Sequence, residues 1–232
     1  MNQKALILHA VILLFVGAVV AAEDDKGFVR LFADEALSGW TVKGTEGCYS
    51  LTDDGTLVYD KEKGGGNLWS PRDYTNFVIR FEFSMSENCN NGLAVRTPYG
   101  QHPATKGMEI QMIGQDDRMY TEDFPKKGHY LNAYQRHGAV YGIIPPKERP
   151  DGTSYLKPHG EWNEQEVSLQ GSRVRVVLNG TVIVDDDLSR YPDDRPLMDG
   201  AKHPGIRNES GRLAWLSHGF SCKWRNIRIK EL

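Results

Sequence analysis

The chain has 232 residues, with 28 Lys and Arg against 31 Asp and Glu and a formal net charge of −3. It carries no basic tract, which argues against nucleic acid as a partner. Its three cysteines, Cys48, Cys89 and Cys222, have no metal-ligand spacing and are too few for a stapled mini-fold. One disulfide is open to them, and their spacing does not choose the pair.

Met1-Asn2-Gln3-Lys4 leads into an almost unbroken apolar run to Val20, closed by Ala21-Ala22 ahead of Glu23-Asp24-Asp25. A basic start, an apolar centre and small residues at the cut describe a secretory signal peptide over residues 1–22. The run is shorter than the roughly 20 apolar residues of a membrane span. The expectation is therefore a secreted or periplasmic protein with no stable membrane insertion after cleavage. Its mature part, residues 23–232, is of a size that one all-β domain can occupy.

Phe28-Val29-Arg30-Leu31-Phe32 reads as a short opening strand. Tyr49-Ser50-Leu51 and Thr56-Leu57-Val58-Tyr59 flank Asp54-Gly55, a hairpin turn signal. Gly64-Gly65-Gly66 lacks the spacing and following helix of a phosphate cradle and implies no nucleotide. Phe77 to Phe83 alternates cleanly, with Phe77, Ile79, Phe81 and Phe83 on one face and Arg80 and Glu82 on the other. After Asn88-Cys89-Asn90-Asn91-Gly92 comes Leu93-Ala94-Val95-Arg96, with Leu93 and Val95 inward and Arg96 pointing with Ala94. Next is Gly107-Met108-Glu109-Ile110-Gln111-Met112-Ile113, a strand whose Met108, Ile110 and Met112 can enter a core. Its other face sets Glu109 beside Gln111 on a rigid support, a good base for a site.

Regularity dissolves over residues 114–158, where Asp116, Asp117, His129, His137 and Lys157 sit among aromatics and prolines. Only Ala139-Val140-Tyr141-Gly142-Ile143-Ile144 suggests a strand there. The aromatic content argues for folded loops rimming a site rather than for disorder. Three strands follow, at Glu166–Leu169, Arg173–Leu178 and Thr181–Val184, the last two joined by the hairpin pair Asn179-Gly180. Beyond a polar linker, Arg212–Leu216 and Lys223–Ile229 close the chain. Short strands punctuated by turns describe an all-β antiparallel sandwich.

Several landmarks recur in a fixed order. They are Gly92-Leu93-Ala94-Val95-Arg96, Glu109-Ile110-Gln111, Gly138-Ala139-Val140-Tyr141 and Lys157-Pro158-His159-Gly160-Glu161-Trp162-Asn163. Leu178-Asn179-Gly180, His218-Gly219 and Trp224-Arg225-Asn226-Ile227-Arg228-Ile229 continue them. This ordered set resembles the 3-keto-disaccharide hydrolase family of 3-keto-glucoside 1,2-lyases and 3-keto-2-hydroxyglucal hydratases. The resemblance implies a single concanavalin-like jelly-roll sandwich, export to the bacterial envelope and action on sugars oxidised at carbon 3. Two features depart from the family: Leu216 stands where Gln is usual, and residues 115–136 form a longer, more charged segment.

A ketone at carbon 3 acidifies the carbon 2 proton, so such a site needs a base, donors for the enolate oxygen and an acid near the leaving oxygen. Glu109 is the first choice for base or metal ligand, with Gln111 as a sugar-hydroxyl partner. Arg96 is expected to hold the oxyanion or orient Glu109. His129, His137 and His218 are candidates for proton transfer because imidazole titrates near neutrality. Tyr141, Lys157 and Trp162 are candidate substrate contacts, Trp162 by stacking on a ring. A divalent metal is an open option with no diagnostic ligand spacing, and the sequence does not set the oligomeric state. The alternative reading is a non-catalytic concanavalin-like carbohydrate-binding module. A conventional glycosidase ranks last, for want of a strand that presents paired carboxylates.

Overall fold

The computed structural model describes residues 25–32 and 36–232. The signal peptide expected over residues 1–22 lies outside the described residues. Among the described residues no helix is long and apolar enough to cross a membrane.

The strands in chain order are β1 (Val29–Arg30), β2 (Thr41–Gly44), β3 (Tyr49–Leu51), β4 (Leu57–Tyr59), β5 (Gly66–Tyr74), β6 (Phe77–Met85) and β7 (Asn90–Thr97). They continue with β8 (Met108–Ile113), β9 (Asn163–Gln170), β10 (Arg173–Leu178), β11 (Thr181–Asp187), β12 (Gly211–Ser217) and β13 (Cys222–Glu231). The larger sheet runs β11-β10-β9-β6-β13-β4-β3, with β1 added along β13, and the smaller sheet runs β2-β5-β12-β7-β8. All pairings are antiparallel, and the two sheets face each other as the jelly-roll β-sandwich that the sequence predicts.

The core lies between the sheets. Phe77, Ile79, Phe81 and Phe83 enter it from β6, as their alternation requires, and none is more than 2% exposed. Across from them, Trp215 of β12 meets Phe81 edge-on with ring centroids 5.0 Å apart, and Trp224 of β13 at the same distance. The Tyr49 hydroxyl donates to the Trp215 carbonyl at 2.9 Å, so this phenol is buried with a partner. The Asn179-Gly180 turn forms as expected, with φ of 49° and 79° at its two residues, the left-handed pair that a two-residue hairpin needs.

Two expectations are corrected. β5 was not legible as a strand, although it is an interior strand of the smaller sheet. Residues 139–144, expected as a strand, make only the isolated bridges Ile110↔Val140 and Val140↔Ile144. Gly138 just before that stretch and Gly142 within it, at φ of 81° and 76°, turn the chain and prevent continuous pairing.

His137 belongs to the core and not to a site. It is stacked on Phe83, its Nδ1 accepts from the Ile113 amide at 3.2 Å, and its Nε2 lies 3.0 Å from Gln165 Oε1. With Nδ1 committed as acceptor, the proton sits on Nε2 and is donated to Gln165. Burial pushes its pKa down to about 4, and with both ring nitrogens committed to Ile113 and Gln165 it has none free for a substrate.

Candidate active site

The polar face of β8 is buried as well as its apolar face: all six residues from Met108 to Ile113 are buried, with Glu109 and Gln111 keeping slight exposure. Residues 138–141 are stitched along the free edge of β8. Gly138 N donates to the Gln111 carbonyl at 2.8 Å, Gln111 N to Ala139 O at 3.0 Å, and Tyr141 N to Glu109 O at 2.9 Å.

Cross-strand register sets what lies beside the two polar side chains. Glu109 pairs with Ala94 of β7, Ala94 with Ala214 of β12, and Ala214 with Trp69 of β5. One step along, Gln111 pairs with Gly92 and Gly92 with Leu216. Trp69, Ala94, Ala214 and Leu216 form an apolar cluster separate from the main core, so they lie on the outer face of the smaller sheet. That face is thus a floor of small residues with a carboxylate and an amide at one side and Trp69 at the other. The exposed ring of Tyr99 meets Trp69 edge-on, with centroids 5.5 Å apart.

Glu109 is 7% exposed, and desolvation raises its carboxyl pKa to about 7. His218 brings Nε2 to 3.8 Å from Glu109 Oε1, beyond a hydrogen bond but within electrostatic contact. Its backbone N–H is held by Asn91 Oδ1 at 2.9 Å. Burial, and then the charge of neighbouring His102, place the half-exposed His218 imidazole below its usual range. Tyr141 is raised by burial, with Glu109, Tyr134 and Asp199 also raising it, and its hydroxyl accepts from Gln135 Nε2 at 3.3 Å. Gln111 Nε2 donates to Asn90 Oδ1 at 3.1 Å and keeps one N–H for other use. The arrangement offers a carboxyl poised near neutrality, a half-exposed imidazole and a phenol at one edge of the smaller sheet. Among the described residues no group of three or more His, Cys, Asp or Glu is placed to hold a metal ion.

Gly92 is a close-approach position. A Cβ there would stand 2.6 Å from Glu109 Oε1 and 3.0 Å from its Cγ. Gly92→Ala is expected to push the carboxylate aside and cut turnover by about a hundredfold, with little change in thermal midpoint. Parallel activity and melting measurements check this, and full activity would show that the carboxylate has room to move.

Residues 27–230 match the 3-keto-alpha-glucoside-1,2-lyase-like domain. The chain belongs to that family. Two solved structures from Parabacteroides distasonis ATCC 8503, each provisionally described as a glycosyl hydrolase, share the fold. The first has a TM-score of 0.71 at 23% identity, over 88% of this chain and 99% of its own. The second has a TM-score of 0.69 at 22% identity, over 92% and 98%. No functionally curated protein matches the sequence.

Of the residues singled out in the sequence of this 3-keto-glucoside lyase-like chain, the fold brings together Glu109, Gln111, Tyr141 and His218. It does not bring Arg96 to them. β7 carries one extra residue opposite β12 between Ala94 and Thr97, and Arg96 at that bulge has φ of 47°. Its guanidinium turns away, donating to Thr75 O at 2.8 Å, Gly171 O at 2.7 Å and Asn76 Oδ1 at 3.0 Å. There it lines a separate cavity of about 400 Å³ that none of the Glu109 group reaches.

Lys157 and Trp162 are also elsewhere. Trp162 directly precedes β9 and so follows the larger sheet, where Arg225 lies over its ring at 4.0 Å and bonds Glu82. Lys157 Nζ donates to the Trp162 carbonyl at 2.9 Å. The sandwich core separates this pair from Glu109. His129 sits on an exposed turn, where its ring contacts Phe124, with centroids 6.3 Å apart. Sequence reasoning missed Gly92, His102, Gln135 and Asp199. All but Gly92 reach the patch from irregular segments, and no periodicity marks them.

Proposed function

We propose that this protein cleaves or hydrates 3-keto-glycosides, with Glu109 as the base that takes the carbon 2 proton. The observation that supports the reading most directly is the buried Glu109 carboxyl, its pKa raised to about 7 on the outer face of the smaller sheet, in a chain of this family. A base is most effective when its pKa lies near the working pH. In the scheme, the electron pair of the carbon 2–hydrogen bond forms the enolate with the carbon 3 ketone. The enolate then expels the carbon 1 substituent, leaving an unsaturated glucal to which water adds. The proton taken by Glu109 returns to the departing oxygen by way of His218, whose Nε2 lies 3.8 Å from the carboxylate. Tyr141 and Gln111 supply donors for the ketone and sugar hydroxyls. The leader over residues 1–22 would place this activity outside the cytoplasm.

The test is turnover of a 3-keto-glucoside beside its unoxidised parent, following aglycone release and the conjugated glucal in the ultraviolet. Release from the keto sugar alone is the expected result. Saturable glycan binding without turnover of either compound would replace the enzyme with a carbohydrate-binding module.

A further inference from the structure

Cys89 and Cys222 come from distant parts of the chain and meet inside it. Cys222 opens β13, and its register partner on β6 is Met85. From Met85 the chain enters the turn to β7, where Ser86 N donates to the Ser221 carbonyl and Cys89 N to the Ser86 carbonyl, both at 3.2 Å. The turn therefore folds back over the start of β13. Cys89 Sγ accepts from Asn91 Nδ2 at 3.5 Å, and the same amide donates at 2.9 Å to the carbonyl of Phe220, two residues before Cys222; burial and then Cys89 raise the Cys222 thiol pKa. Cys48 is buried just ahead of β3, beside Tyr49, and Cys89, not Cys48, is the thiol that acts on Cys222. All three thiols are free in the structure.

We propose that Cys89 and Cys222 are a disulfide pair, closed when the chain folds in an oxidising compartment, with Cys48 left as a free thiol. The exchange consumes a small-molecule or protein disulfide. One cysteine thiolate attacks it and releases one thiol, and the second thiolate displaces the other from the mixed disulfide. The two cysteines lose two protons and two electrons, and the oxidant leaves as two thiols. Both sulfurs are buried in the finished fold, at 0% and 1% exposure, so the bond closes as β13 inserts between β6 and β4. The bridge would lie directly behind Asn91, whose amide holds the His218 N–H and the Phe220 carbonyl, and so would stiffen the loop that carries His218.

The test is to refold the full chain in a glutathione redox buffer and in excess reductant, block it with iodoacetamide in denaturant, and map tryptic peptides without reduction. One alkylated cysteine, Cys48, and a linked Cys89–Cys222 peptide are expected after oxidative refolding, with three alkylated cysteines after reductive refolding. The oxidised form should melt at higher temperature and lose that increment on reduction. In C48S, oxidative refolding should leave no alkylatable thiol. Three alkylated cysteines after oxidative refolding, or a bridge that includes Cys48, would overturn the assignment. This outcome is independent of whether 3-keto sugars are substrates.

Discussion

Glu109→Gln is expected to lower turnover of a 3-keto-glucoside by about 10²–10⁴-fold, the usual range for losing a positioned general base. The amide keeps the shape of the side chain and removes its basicity, so substrate affinity should change far less than the rate constant. In the wild type, kcat/KM should rise with pH through about 7 as the buried carboxyl ionises. The same group leaves a mark on stability. Its pKa is raised from 4.5 to about 7 in the folded protein, so between those values the folded chain holds a proton that the unfolded chain has released. Stability conferred by this group is therefore complete below pH 4.5, falls as pH rises through the window, and levels off above about 7. Fully expressed, the penalty is about 3 kcal/mol, and Glu109→Gln should be free of it. Melting wild type and variant from pH 5 to 8 checks the sign: the variant must gain relative to wild type as pH rises. A variant that is inactive yet shows the wild-type pH dependence of stability would mean that another group carries the titration.

The strands that were legible in the sequence are those covered on one face, where apolar and polar residues alternate. β6 and the β10–β11 hairpin are of this kind, as are the apolar positions of β8. β5 was illegible for two physical reasons. Leu68, Trp69 and Ser70 are buried in succession, inner-face and outer-face residues alike, so alternation vanishes. Pro71 then falls in an irregular stretch, where Trp69 pairs with Ala214 but Asp73 pairs with Arg212. The lost ladder is repaired by a side chain: Ser70 Oγ accepts from Leu213 N at 3.0 Å and donates to Arg72 O at 2.8 Å. Proline is tolerated at such a break, since its missing N–H is not called upon. Leu213 faces a second irregularity on its other side, the bulge at Arg96. The polar pair of β8 was readable from period two, while the partners Tyr141 and His218 were marked by motif order alone. Their convergence depends on a loop laid along β8 and a turn after β12, which no local pattern encodes.

Arg96→Ala is the complementary prediction, because it separates two roles that the sequence alone would merge. A residue two places after Ala94 in an unbroken strand would share the outer face with Glu109 and could assist the chemistry. The bulge makes it structural instead, since one added residue reverses the face that follows. Its guanidinium binds three connections at once: the β5–β6 turn through Thr75 and Asn76, the β9–β10 turn through Gly171, and the segment before β12 through Asn208 O at 3.4 Å. Removing the buried Arg96 side chain unties all three connections at once, and charge-assisted bonds are among the more costly to lose. The expected destabilisation is about 3–5 kcal/mol by chemical denaturation. Lys should rescue little of it, because one ammonium cannot reproduce the planar fork that reaches separate acceptors. Per folded molecule, at a temperature well below the lowered midpoint, turnover of the keto sugar should match wild type. Arg96→Ala that stays as stable as wild type but loses turnover would restore the oxyanion role and remove the bulge as the reason for its position. The paired outcome with Glu109→Gln, one variant stable and slow and the other fragile and fast, is what this sandwich requires if its chemistry lies on β8 and its end is tied by β7.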